Sequence, residues 1–152
     1  MSSLWLKHVR GVLAAVIGSV LLAYQPVVWA QTIKIGTPLA LTGGLADEGK
    51  KQVVAYEMWL KRVNDAGGID VGGQKRKVEL IRYDYQTDGQ RAQQLAERLI
   101  TEDKVDFMLA PFGSGHTKVV AGVAERYGVP VIATSASSVS IFNQGYKNLF
   151  GV

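Results

Sequence analysis

From Thr32 onward the chain alternates short apolar runs of strand type with longer amphipathic runs of helical period, which leaves few folds open. Thr32 to Gly36 reads as a first strand, ended by Pro38 and the Thr42-Gly43-Gly44 loop. A helix is expected from about Glu48 to Ala66, with Val53, Tyr56, Leu60 and Val63 on one stripe, and Gly67-Gly68 stop it. Ile69 to Gln74 reads as a tight turn or small hairpin leading into a strand from Arg76 to Tyr83. Thr87-Asp88 is expected to cap the next helix, with Gln90 placed for a capping box and Ala92, Leu95, Ala96, Leu99 and Ile100 as its buried stripe. A third strand from Val105 to Ala110 feeds a helix from about Gly115 to Tyr127. Gly128 ends that helix, and Pro130 stands at the start of a fourth strand reaching Ala133. Asn143-Gln144-Gly145 is a turn, after which Tyr146 to Phe150 begins another strand. Strands separated by helices of this length need right-handed βαβ crossovers. The expected fold is α/β: a three-layer, Rossmann-like, mostly parallel sheet with helices on both faces.

The first thirty residues are of another kind. Lys7 and Arg10 precede an uncharged run from Val12 to Tyr24, and Val28-Trp29-Ala30 offers a small residue for cleavage ahead of Gln31. This is the pattern of a secretory signal peptide, and the run is short of the ~20 apolar residues that would span a membrane. Residues 1–30 are therefore expected to be removed, leaving residues 31–152 as the mature domain. With no cysteine at the cut, a lipid anchor is not expected, and the destination is the periplasm. Cleavage removes two of seventeen basic residues and none of thirteen acidic ones, leaving a net charge of +2. The basic residues are spread among acids rather than gathered in a stripe, so no nucleic-acid surface is expected. The chain has no cysteine, hence no disulfide framework and no thiol chemistry, and no motif asks for a metal or another cofactor.

Two strands end in small, hydroxyl-bearing loops: Pro111-Phe112-Gly113-Ser114-Gly115-His116-Thr117, and Thr134-Ser135-Ala136-Ser137-Ser138. In a parallel sheet both emerge at the carboxyl edge, where open α/β folds place their ligands.

Together with Ile35-Gly36-Thr37-Pro38-Leu39-Ala40-Leu41-Thr42-Gly43, the helix end Asn64-Asp65-Ala66-Gly67-Gly68-Ile69 and the strand end Tyr83-Asp84, these loops resemble the first lobe of branched-chain amino-acid-type periplasmic binding proteins. The resemblance runs from Thr32 to Val152. It implies the type I periplasmic binding fold, of which this chain would supply the N-terminal lobe alone; an apolar end at a strand also suggests a truncated sequence. It implies a monomeric, non-enzymatic receptor that captures an amino acid or a related small carboxylate or amide between two lobes. Its partner would be an ABC permease in the inner membrane.

By the same resemblance Ser114 matches the family's carboxylate-holding serine, and Ser135, Ala136 and Ser137 match its second ligand loop. Physically, the Ser114 hydroxyl and the N–H groups at a helix start suit a carboxylate, and Gly113 and Gly115 keep side chains out of the way. The carbonyl of Ser135 suits an ammonium, while Ser137 offers both a hydroxyl and an N–H. Ser114 as a plain helix N-cap is the competing reading. Glu48 falls where the family often has an aromatic residue; it either points to water in the first helical turn or faces a ligand more polar than leucine. Tyr56 and Trp59 read as helix packing, Phe112 as lining core or cleft, and His116 as a polar residue at a helix start. The rival functions are a ligand-sensing receptor domain of the same fold and an exported hydrolase; the latter lacks a nucleophile elbow or a paired-carboxylate motif.

Overall fold

The computed structural model describes residues 31–152, so the signal-peptide reading of residues 1–30 lies outside the described residues. In chain order the elements are β1 (Ile33–Leu39), α1 (Ala46–Asp65), β2 (Ile69–Val71), β3 (Gln74–Arg76), β4 (Val78–Asp84), α2 (Gly89–Thr101), β5 (Phe107–Leu109), α3 (Ser114–Tyr127), β6 (Val131–Ala133), α4 (Val139–Phe142) and β7 (Leu149–Gly151). Five strands form one sheet in the order β4-β1-β5-β6-β7, and every pairing in it is parallel. The hairpin β2–β3 stands apart as an antiparallel pair turning at Gly72-Gly73.

The helices divide between the two faces. On one, α2 and α3 pack against each other and bury Ala92, Ala96, Leu99, Val120 and Val123 over Met108 and Val131. On the other, α1 lays Val53, Tyr56, Leu60 and Val63 over Ile33, Ile35, Leu39 and Val78. These are the stripes read from the helical period. α1 covers the β4–β1 side, and beyond it Trp59, Phe107, Leu109 and Ile132 line an open apolar groove of about 540 Å³. Trp59, expected to pack, is 40% exposed at the groove's edge.

Four details differ from the sequence reading. β1 continues through Pro38 to Leu39 instead of ending at Gly36. Leu39 turns its carbonyl to the β4 side, where Tyr85 donates to it at 3.0 Å, so Pro38 faces β5. The β1–β5 pairing stops at Gly36–Met108, and the missing proline N–H is tolerated beyond its end. The capping box at Thr87 and Gln90 does not form. Thr87 has φ 61°, outside the extended region an N-cap needs, and Asp88 caps instead by accepting from the Arg91 N–H at 2.6 Å. The last strand begins at Leu149 rather than Tyr146, and just before it Glu125 of α3 accepts from the N–H groups of Lys147 and Asn148 at 3.0 Å each, which takes those two donors away from the sheet. A single helical turn, α4, occupies residues read as loop.

The loop after β1 is fixed from two sides. A Cβ on Gly49 would stand 1.9 Å from the Ala40 carbonyl oxygen, so only glycine lets the first turn of α1 approach this closely. The Asp84 carboxylate, at the end of β4, accepts from the N–H groups of Leu41 (3.0 Å), Thr42 (3.3 Å) and Gln86 (2.9 Å) and from the Thr42 hydroxyl (2.7 Å). Burial pushes this carboxyl's pKa up, but the hydrogen bonds from Thr42, Gln86 and Leu41 outweigh it and hold the group below the usual range. Thr87 completes the tie, donating to the Thr42 carbonyl and accepting from the Leu45 N–H.

Two outcomes are expected. Gly49→Ala forces backbone apart and lowers unfolding free energy by about 1–3 kcal/mol in urea titration, whereas Gly44→Ala, with open space around it, stays within about 0.5 kcal/mol of the parent. Asp84→Asn costs about 1 kcal/mol after allowance for solvent screening. Because the folded carboxyl titrates below the unfolded one, this contribution is complete above the unfolded pKa of about 3.9 and is lost as pH falls through the lower folded value. The gap between parent and Asp84→Asn in urea should therefore close on acidification; a gap that does not change with pH contradicts the assignment.

Candidate functional site

Strand order places β1 between β4 and β5, so the chain reverses its winding direction at β1. The loops leaving β1 and β5 diverge there, and the crevice outside their carboxyl ends is the position where open α/β sheets bind ligands. Three connections border it: residues 40–45 after β1, residues 110–113 after β5, and residues 134–138 after β6.

α3 begins at this edge. Its N-cap is Gly113, whose φ of 88° suits glycine and which has no side chain to cap the helix. Ser114 is thus the first helical residue and not the N-cap, which corrects that reading. The N–H groups of Ser114, Gly115 and His116 have no intrahelical acceptor, as at any helix start. The first intrahelical bond is Thr117 N–H to the Gly113 carbonyl at 3.1 Å. Three uncapped donors at the positive end of a fourteen-residue helix make an anion seat. The Thr117 hydroxyl, fully buried, donates to the Pro111 carbonyl at 3.0 Å and fixes the turn into the helix.

Two hydrogen bonds join this turn to the loop after β6. The Gly113 N–H donates to the Ser135 carbonyl at 3.0 Å, and the Ser138 N–H donates to the Ser114 hydroxyl at 3.1 Å. Having accepted, the Ser114 hydroxyl keeps its own proton to give. The Ser135 carbonyl, expected to face an ammonium, already has a donor and retains one lone pair.

The structure therefore brings Gly113, Ser114 and Ser135 together. Ala136 follows them, half-buried against the α2–α3 side of the core, and Ser137 is exposed on the same loop. Glu48 lies in the first turn of α1, one turn before Gln52, and pairs with Lys51 at 2.7 Å. His116 rests its ring 5.0 Å from the ring of Tyr85, which is fully buried. Phe112 is half-buried.

Residues not singled out as site residues also converge here. Gln52 on α1 donates to the Tyr56 hydroxyl at 3.2 Å and to the Ser135 hydroxyl at 3.5 Å, and Tyr56 meets Thr134 at 2.7 Å. The available signal was a glutamine one turn before a tyrosine on the apolar stripe of a helix, a polar pair where packing alone would want aliphatic residues.

Comparisons with known proteins bear on the family and the fold. The sequence profile described as "Periplasmic binding protein" matches residues 32–152. The "Leucine-, isoleucine-, valine-, threonine-, and alanine-binding protein" of Pseudomonas aeruginosa is 32% identical over 121 residues, covering 80% of this chain and 31% of that protein. Among solved structures, a branched-chain amino acid transporter substrate binding protein from Streptococcus pneumoniae in complex with isoleucine superposes with a TM-score of 0.73 at 30% identity, covering 80% of this chain and 33% of the other. A solute binding protein of an ABC transporter from Rhodopseudomonas palustris in complex with 3,4-dihydroxy benzoic acid gives 0.69 at 27%, covering 79% and 31%. The chain thus spans about a third of the length of the relatives it matches. With the profile matched from Thr32 to Val152 and the doubly wound sheet in place, the chain belongs to the periplasmic binding protein family.

Proposed function

We propose that residues 31–152 form one wall of an exported, non-enzymatic solute receptor that captures a small carboxylate for an ABC importer. The observation that carries this reading is the uncapped start of α3, whose three first N–H groups have no intrahelical acceptor and which begins after β5, beside the strand at which the sheet reverses its winding. A carboxylate leaving water needs fixed donors in place of its hydration, and this set supplies them without side-chain rearrangement. A single wall cannot enclose a ligand, so a second lobe closing over the first completes the site. The closed form then docks on the permease.

Residues 1–30 act as the cleaved leader in this reading, and the receptor works in the periplasm as a monomer. Branched-chain amino acids are the first ligand class, supported by the Pseudomonas relative and by the isoleucine complex. Small aromatic acids are the second, supported by the dihydroxybenzoic acid complex. Both present the same carboxylate to the same helix start. Ser114, Gly113 and the loop Ser135-Ala136-Ser137 hold the polar head, while Glu48 serves the solvated first turn of α1.

The test is calorimetric titration of the protein carrying both lobes against leucine, isoleucine, valine, threonine, alanine and dihydroxybenzoate. At least one of these should bind, and Ser114→Ala should weaken it about tenfold to a hundredfold, the worth of one hydrogen bond to a charged group. The unliganded variant should stay folded, its stability lowered by about 1 kcal/mol for the lost Ser138 N–H bond to the Ser114 hydroxyl. Failure of every ligand, or a Ser114→Ala variant that binds as the parent does, contradicts the proposal.

A further inference from the structure

A second depression lies at the opposite edge of the sheet from the ligand loops. It encloses about 400 Å³ where β1 and β5 begin, and Gln31, Ile33, Val71, Arg76, Asp106 and Phe107 line it. Its two charged residues, Arg76 and Asp106, are of opposite sign, and the Asp106 carboxylate already accepts from the Lys34 N–H at 2.8 Å. Arg76 is less well served: its Nε is buried without a hydrogen-bond partner among the described residues. A guanidinium only donates and an idle buried donor is costly, so what this cavity lacks is an acceptor carried on a compact apolar body.

The chain itself brings one. Gln31 lines the cavity, is exposed, and precedes β1, which opens with the Ile33 N–H donating to the Lys77 carbonyl at 2.9 Å. While residue 30 is attached, the Gln31 nitrogen is an amide and does not react. Cleavage after Ala30 turns it into an α-amine, whose ordinary pKa of about 7.7–8.0 leaves part of it unprotonated at neutral pH. That amine can reach its own side-chain amide.

We propose that the mature chain carries a pyroglutamate at residue 31, seated in this cavity with its ring carbonyl on the Arg76 Nε–H. The unprotonated α-nitrogen attacks the side-chain Cδ. The N–Cδ bond forms, the Cδ–Nε2 bond breaks, and a proton passes from the amine to the departing nitrogen, which leaves as ammonia. Nothing is oxidised or reduced, and no co-reactant is needed. The product carries no terminal charge, so an ammonium no longer shares the cavity with the Arg76 guanidinium. Asp106 could pair with that ammonium, but the loss of ammonia is irreversible, so such pairing delays the reaction without preventing it. The lactam presents its acceptor on a small ring suited to Ile33, Val71 and Phe107. An aminopeptidase needs a free α-amine and finds none, so the modification shields the terminus after export. The inference rests on the reading that residues 1–30 are cleaved as a leader, and it is independent of the ligand site.

The test uses the protein with its leader and both lobes, exported by a bacterial host, purified and held at neutral pH. Edman sequencing of the intact protein should give a Gln31 signal that fades to none, and should read Thr32 first once a pyroglutamyl peptidase has removed the ring. The Gln31→Ala variant should stay readable throughout. The cyclised parent should also unfold at a higher urea midpoint than Gln31→Ala. Arg76→Lys keeps the charge and removes the Nε–H, and in its background that gap should close. A Gln31 amine that persists on ageing overturns the modification. A blocked terminus with no gap in urea, or with the same gap in Arg76→Lys, overturns its seat in the cavity. A first residue other than Gln31 overturns the cleavage reading and this inference with it, while calorimetric ligand binding reports on the receptor reading separately.

Discussion

The structure depends on the carboxyl ends of β1 and β5 being held next to each other while their loops leave in opposite directions. Nothing in a parallel ladder does this, because the pairing of the two strands stops at Gly36 and Met108. Beyond that pairing each loop is fixed by its own groups outside the ladder. Asp84 draws the loop after β1 toward β4, the absent side chain of Gly49 lets α1 close on Ala40, and Thr117 anchors the turn after β5 on Pro111. The crevice is thus the place where sheet hydrogen bonding ends and side-chain hydrogen bonding takes over.

Polarity at that edge follows from which groups are already used. α3 begins on a glycine, so its first N–H groups receive no help from a capping side chain. The loop after β6 is tied to them by Gly113 and Ser138, which consume one carbonyl and half the capacity of one hydroxyl. What remains at the start of α3 is donor-rich, and donors suit anions. The family to which the chain belongs and the carboxylate-bearing ligands of its structural neighbours are consistent with that balance.

Much of this was legible in the sequence, for physical reasons that can be named. The helical stripes of α1 and α2 and the order of strands follow from apolar periodicity, which burial in a doubly wound sheet enforces. The two hydroxyl loops follow from their position after strands. Three things were not legible. The passage of β1 through Pro38 depends on which neighbour that residue faces, a fact of sheet order and not of local sequence. Thr87 looked like a cap but takes a left-handed backbone and serves the loop after β1, more than forty residues away. Gln52 was not singled out, since its partner Ser135 lies about eighty residues away, as does Thr134, the partner of the neighbouring Tyr56. Long-range polar contacts leave no periodic trace, and that is where the sequence fell silent.

The most direct measurement of the central claim is a crystal structure of the two-lobed protein grown with isoleucine. A carboxylate oxygen should lie about 3 Å from the N–H groups that open α3 and within reach of the Ser114 hydroxyl. Isoleucine seated in the apolar groove between Trp59 and Phe107, with the start of α3 unengaged, would contradict it.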